Sequence, residues 1–463
     1  MTNNNSFSAA KVQLFFVTAY FFGFLVGRRQ KSFGFGVLLK KEKSTCFIHK
    51  TIVYQYSISN TSLCYTNLCN TNLCNMKIMC NFAAKQHTYM DNKPFMFGIP
   101  VEDSHFIGRQ AEMERLSSNF KYGINTILLS PRRWGKTSLV NKVAAMVNCK
   151  DIVVVTMDIF SCRNEYDFYN AFSEAILKQT ASRVEEWKDL AKGFIERLVP
   201  KISLSLDGQS EYGVSLGITP KTHQPEEVLS LPEIIAGRKG CNIVVCIDEF
   251  QQVGEFPDSL SVQKRMRTVW QHQQNVSYCL YGSKMHMMTN LFQKKSYPFY
   301  KFGDLLYLKN IPFETWLPYI QEGFAKQGKH ISEQLVRELC ESVDYQSSYV
   351  QQLAYDTLLL TDKEVTEDIL KAALNDLVDQ NSIVFIEQTQ SLTSYQLNFL
   401  RAVLAGQSTD FGKKDLREEY DYGSPSNVAR LKSALTTKEL IEPTAKGYII
   451  GDPVLRLWLR RVL

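Results

Sequence analysis

The sequence predicts an α/β protein: a doubly wound, five-stranded parallel sheet, followed by a helical segment and a small C-terminal domain. Three observations carry this. Five short β-type runs (Ile124–Leu129, Ile152–Val155, Asn242–Asp248, Tyr278–Tyr281 and Leu305–Leu308) alternate with helical stretches. The first run passes through a short loop into Gly135-Lys136-Thr137, a strand–loop–helix junction. The third run is continuously apolar and ends in Asp248-Glu249. It suits a buried parallel strand that presents its carboxylates at the C-terminal end, where such sheets bind ligands.

Composition sets the frame. The chain has 463 residues, 44% hydrophobic and 22% charged, which is the balance of a soluble globular protein. At ~100–200 residues per domain, that length allows two to four domains. The net charge of +6 suggests a nucleic acid or membrane partner, but it is unevenly placed. Residues 1–89 hold ten basic side chains and one acid, whereas residues 90–463 hold 43 basic against 46 acidic. The larger part is therefore slightly acidic, and the basic balance does not describe it.

The first 89 residues also hold five of the eleven cysteines: Cys46, Cys64, Cys69, Cys74 and Cys80. An odd, unpaired set is no disulfide framework and reads as reduced thiols of a cytoplasmic protein. Within Ser62–Met76 a five-residue echo spaces its cysteines too widely for a zinc site. Val12–Gly27 is apolar, but it falls short of the ~20 residues a membrane span needs and has no A-x-A cleavage site. A membrane partner is not favoured. The expectation is that residues 1–89 are a poorly ordered or mis-called extension, and that the working protein starts near Met90.

The junction after the first strand has the chemistry of a phosphate-binding loop, spanning Ser130, Pro131, Arg132, Arg133, Trp134, Gly135, Lys136, Thr137 and Ser138. Successive backbone N–H groups at a helix N-terminus form an anion-binding concavity. Gly135 permits close backbone approach, Lys136 reaches the outer phosphates, and Thr137 offers a hydroxyl to Mg²⁺. Ser130 stands where the motif has its first glycine, and Pro131 biases Ser130 towards extended geometry. Arg132 and Arg133 add positive potential. Asp248 is placed to hold Mg²⁺ through water, and Glu249 to orient or deprotonate an attacking water. The cofactors expected are ATP and Mg²⁺.

FIGRQAEMERL (106–116), LLSPRRWGKTSL (128–139), IVVCIDEFQQV (243–253), YCLYGS (278–283) and DPVLRLWLRR (452–461) together resemble P-loop ATPases of the AAA+/STAND class. The group is that of the archaeal-type ATPases, also widespread in bacteria. The resemblance implies a sensor role for Ser283 and an adenine pocket bordered by Phe106, Ile107 and Arg109. It offers Lys301 where many relatives carry an arginine, and Arg265 and Arg267 as trans fingers, although a solvated helix face is the plainer reading of those two.

It also implies an ATPase core over 90–310, a helical lid over 311–388 and a winged helix over 389–463. Leu335, Val336, Leu339, Cys340 and Val343 fall on one helix face of the lid, and Thr366 reads as an N-cap, with Val365 and Leu370 as a hydrophobic staple. Residues 391–463 read as three helices and a hairpin, with Leu397, Leu400 and Leu404 facing one way. Ser424-Pro425 is a helix start, and the turn falls near Lys446-Gly447. Arg430, Lys432 and Lys438 are few charges for DNA. The favoured function is Mg-dependent ATP hydrolysis used as a conformational switch, with a protein partner or self-association through the lid and winged helix. The alternative is a DNA-binding AAA+ ATPase.

Overall fold

The computed structural model describes residues 93–463 apart from 102–104 and 182–224, together with Val37–Lys41 and Ser44–Ile48. The chain divides into two compact units, Met1–Asn92 and Lys93–Leu463. In the first, β1 (Val37–Lys41) and β2 (Ser44–Ile48) pair antiparallel with Lys41 opposite Ser44. The apolar run Val12–Gly27 and the cysteine echo lie outside the described residues.

The second unit opens with α1 (Gln110–Lys121), β3 (Thr126–Leu129), α2 (Lys136–Val147), β4 (Ile152–Asp158) and α3 (Glu165–Thr180). It continues through α4 (Pro225–Leu229), α5 (Leu231–Lys239), β5 (Asn242–Asp248), α6 (Ser259–Trp270), β6 (Val276–Gly282), α7 (Met285–Gln293) and β7 (Asp304–Tyr307). The five strands pair parallel in the order β4-β5-β6-β3-β7.

Every residue of β3 and β6 is buried, which explains the unbroken apolar runs: helices cover both sheet faces. Side chains alternate between the two faces with the strand period of two. Ile243, Val245 and Ile247 join an aromatic core with Phe172, Phe250 and Trp270. Val244 and Cys246 point the other way, to Leu139 and Val143 of α2.

Beyond the sheet lie α8 (Phe313–Ala325), α9 (Glu333–Ser342), α10 (Ser347–Leu360), α11 (Glu367–Thr389), α12 (Ser394–Leu404), α13 (Lys414–Tyr420) and α14 (Pro425–Thr437). A hairpin of β8 (Glu442–Thr444) and β9 (Gly447–Ile449) precedes α15 (Pro453–Val462). One continuous apolar cluster runs through all of them, from Trp316 and Leu339 to Leu431 and Leu459. The line drawn at 388/389 falls at the end of α11, whose Phe385 packs on Trp458 of α15 with ring centroids 5.8 Å apart. No break in the core marks it.

Local signals fared unevenly. Leu335, Val336, Leu339, Cys340 and Val343 are all buried. The Thr366 hydroxyl accepts from Ile369 N at 3.3 Å, as an N-cap does. Ser424 and Pro425 do begin α14, but the Ser424 hydroxyl bonds Ser426 and not the helix backbone. The predicted Leu397–Leu400–Leu404 stripe is displaced: Phe399, Leu400, Ala402 and Val403 make the buried face of α12. Phe399 stacks on Phe411 at 4.5 Å, and this long-range contact sets the helix's rotation. The closing helix α15 is missing from the helix–helix–helix–hairpin reading, although Asp452-Pro453 starts it as N-cap and N1. Among the described residues, no helix is long and apolar enough to cross a membrane.

Candidate functional site

The strands place the predicted residues around one end of the sheet. β3 ends at Leu129 and α2 begins at Lys136, so residues 130–135 form the intervening loop. Gly135 is the N-cap of α2 at φ +86°, a backbone state that L side chains rarely adopt. The Lys136 ammonium folds back over the loop and donates to Ser130 O at 3.0 Å, Pro131 O at 2.9 Å and Ser130 Oγ at 3.4 Å. Burial pushes its pKa down to about 8, against the opposing pull of Asp248 and Glu249.

β5 delivers the acids. Asp248 Oδ2 accepts from Thr137 Oγ1 at 2.7 Å, and Oδ1 accepts from Glu249 N at 2.8 Å. Burial raises the Asp248 carboxyl to about 6 even though both hydrogen bonds favour its ionised form. Glu249 itself is left-handed, with φ +54°. Its Oε2 accepts from Ser283 Oγ at 3.0 Å and also from Gln251 Nε2. The sheet order explains the first contact: β6 lies between β3 and β5, so the residue after β6 emerges beside the acid pair. A hydroxyl and a carboxylate are hard oxygen donors, and Mg²⁺ typically takes one or two protein ligands of this kind beside phosphate oxygens. The Thr137–Asp248 pair fits it.

The remaining predicted residues divide by role. Ser138 Oγ accepts from Val101 N at 2.9 Å, tying the segment before α1 to α2. Phe106 and Trp134 pack against the α2 side of the sheet, and Ile107 packs against the helical cluster. Arg109 is buried, and its guanidinium donates to Trp134 O and Lys309 O, both at 2.7 Å. It clamps the loop to the segment after β7 and also pairs with Glu112 at 3.5 Å.

Arg132 and Arg133 lie within the loop, and their side chains reach partners beyond it. Arg132 pairs with Glu439 at 3.1 Å, between α14 and β8. Arg133 pairs with Asp452 at 2.7 Å, donates to Tyr349 OH, and lies over the Tyr349 ring 4.5 Å from its centroid. Its carbonyl accepts from Ser348 N at 3.1 Å, at the start of α10. The loop thus touches both the helical segment and the C-terminal domain directly. Glu439, Asp452, Tyr349 and Gln251 were all missed from sequence. Gln251, two residues beyond Glu249, and Asp452, which opens the DPVLRLWLRR stretch, carried positional hints.

The finger candidates are engaged within the chain. Arg265 bonds Glu165, and Arg267 lies over Phe302 at 4.8 Å, so neither forms a free solvated face. Lys301 sits 5.6 Å from the Tyr300 ring centroid. In the C-terminal domain Arg430 bonds Asn427 at 2.8 Å, Lys438 bonds Ser391 at 3.0 Å, and Lys432 lies over Tyr448 at 4.8 Å.

Residues 371–461 match a family described as "probable winged helix domain". No curated protein matches the chain. Among solved structures, the Walker-type ATPase paby2304 of Pyrococcus abyssi is similar with a TM-score of 0.58 at 17% identity, over 79% of this chain and 99% of that one. The ORC2 protein of Aeropyrum pernix, solved in ADPNP–ADP complexes, scores 0.46 at 14% identity over 78% and 96%, too low to carry an argument. The five-stranded parallel sheet, its flanking helices and the matched C-terminal segment agree: the chain has the fold of a Walker-type P-loop ATPase with a C-terminal winged helix.

Proposed function

We propose that this protein binds and hydrolyses ATP with Mg²⁺ and uses the cycle as a conformational switch, in the manner of the AAA+/STAND class, that repositions its winged helix. The observation that carries the reading is the double tie from the phosphate loop to the C-terminal domain, Arg132 to Glu439 and Arg133 to Asp452. These side chains are partly exposed, and such pairs are worth only about 0.2–1 kcal/mol each. A polyphosphate arriving at the loop competes for the same two guanidinium groups, and a weak tie can yield to it.

The chemistry follows from the remaining contacts. Lys136 exchanges the loop carbonyls it now bonds for phosphate oxygens, and the phosphates raise its basicity again. Thr137 and Asp248 would hold Mg²⁺, which supplies charge neutralisation on the phosphates. Glu249 accepts the proton of the attacking water through Oε1, while Ser283 keeps Oε2 in place. The helical segment that contains α10 acts as the lid, which reports on the nucleotide through Ser348 and Tyr349. A DNA-binding reading has less support, because Arg430, Lys432 and Lys438 are each engaged within the domain.

The test is ATP hydrolysis by the purified chain with Mg²⁺ or with EDTA, and with or without duplex DNA. Mg-dependent turnover, lost together with nucleotide binding in Lys136→Ala, is expected. Unchanged ATP affinity in Lys136→Ala sinks the site assignment. Salt-sensitive stimulation by DNA favours the alternative.

A further inference from the structure

Gln251 stands in the turn just after Glu249 and is 1% exposed. Its neighbours Phe250 and Val253 are fully buried in the aromatic core, and Gln252 N donates to Glu249 O at 2.9 Å. The turn is therefore anchored, and the amide has little freedom. Its Nε2 donates to Glu249 Oε2, the oxygen that Ser283 Oγ also reaches. Its Oε1 is buried and has no hydrogen-bond partner among the described residues.

A core position asks for an apolar side chain, and a half-satisfied buried amide is a poor substitute. Gly282 completes the arrangement. A Cβ built there would lie 1.8 Å from Gln251 Oε1 and 2.9 Å from its Cδ, so any larger residue expels the amide from its seat. Two positions thus combine to bring one donor to one carboxylate oxygen.

We propose that Gln251 is a positioning residue for Glu249, and that Gly282 is the space it requires. The inference rests on the reading of Glu249 as the group that activates water. With Ser283 and Gln251 both bound to Oε2, the carboxylate cannot rotate, and Oε1 remains as the basic atom. Gln251 acts through Glu249 alone.

The experiment compares kcat, KM and ATP affinity of the full chain with those of Gln251→Met, Gln251→Glu and Gly282→Ala. Met conserves volume and removes the donor. Gln251→Met and Gly282→Ala are each expected to lower kcat about tenfold or more, with KM and ATP affinity within about twofold. Gln251→Glu, which keeps the length but replaces the donor with a second carboxylate, is expected to lose kcat at least as far, with ATP affinity again within about twofold. A purely structural role would lower kcat and nucleotide affinity together. Unchanged or increased kcat in Gln251→Met, or equal loss of kcat and nucleotide affinity, overturns the proposal. If the unsubstituted chain binds ATP and shows no hydrolysis, the function proposed above fails and this inference falls with it. If the unsubstituted chain hydrolyses ATP and Gln251→Met matches it, only the role of Gln251 is lost.

Discussion

Glu249 shows how far a single residue can be read from sequence. Its place after an apolar strand announced a carboxylate at a strand end, and β5 holds it there. Its two partners come from different distances: Gln251 from the same turn, and Ser283 from across the sheet. Substituting Gln at 249 keeps the size and removes the base. Glu249→Gln is expected to bind ATP as the parent does and to hydrolyse it about a hundredfold more slowly or worse. Equilibrium binding with a fluorescent ATP analogue, set beside single-turnover phosphate release, checks both halves. Parental turnover would remove Glu249 from the proposed mechanism. Arg132 and Arg133 teach the opposite lesson. Their closeness to Lys136 in sequence suggested added positive potential at the loop, and nothing local announced the distant carboxylates that the two side chains reach. Neighbourhood in sequence positions the Cα atom and leaves the charged group's direction to its partners.

At the scale of elements, periodicity worked wherever burial was uniform. β5 and β6 were legible because a strand covered on both faces must be apolar throughout. The buried face of α12 was not, since its rotation answers to Phe411, outside the helix. The α10–α11 pair adds a charge effect that no local pattern displayed. Asp356 on α10 is raised to about 6, first by burial and then by the Asp376 carboxylate on α11. Its folded pKa lies above its ordinary 3.8, so the native state prefers the protonated acid. That stability is present below the ordinary value and is lost as pH rises through about 6. Asp356→Asn is therefore expected to stabilise the chain near pH ~7 by about 1 kcal/mol, after allowance for solvent screening, and by little near pH ~4. Urea unfolding at both pH values measures the difference. An equal gain at both would contradict the electrostatic cause.

At the scale of the molecule, the loop 130–135, the helical segment and the segment matched to a winged helix meet at one junction. Asp452 serves it twice: Oδ1 caps α15 through Val454 N and Leu455 N, while Oδ2 takes Arg133. Asp452→Asn can keep the cap and remove the charge. Combined with Glu439→Gln, it is expected to loosen the C-terminal domain and to raise ATP affinity about two- to tenfold, because coupling between docking and nucleotide is reciprocal. Limited proteolysis without nucleotide, together with ATP titration, tests this. Unchanged affinity with unchanged protease resistance would remove the two ion pairs from the switch. The amino-acid sequence by itself determined the fold class, the strand–loop–helix at Lys136 and the acid pair at Asp248-Glu249. These are local patterns, imposed by backbone period and by the chemistry of short motifs. Only the tertiary structure decided which helix face is buried, that one core joins the helical segment to the winged helix, and where Arg132, Arg133 and Gln251 direct their donors. Those outcomes depend on contacts between residues far apart in the chain, and no window of sequence contains both partners.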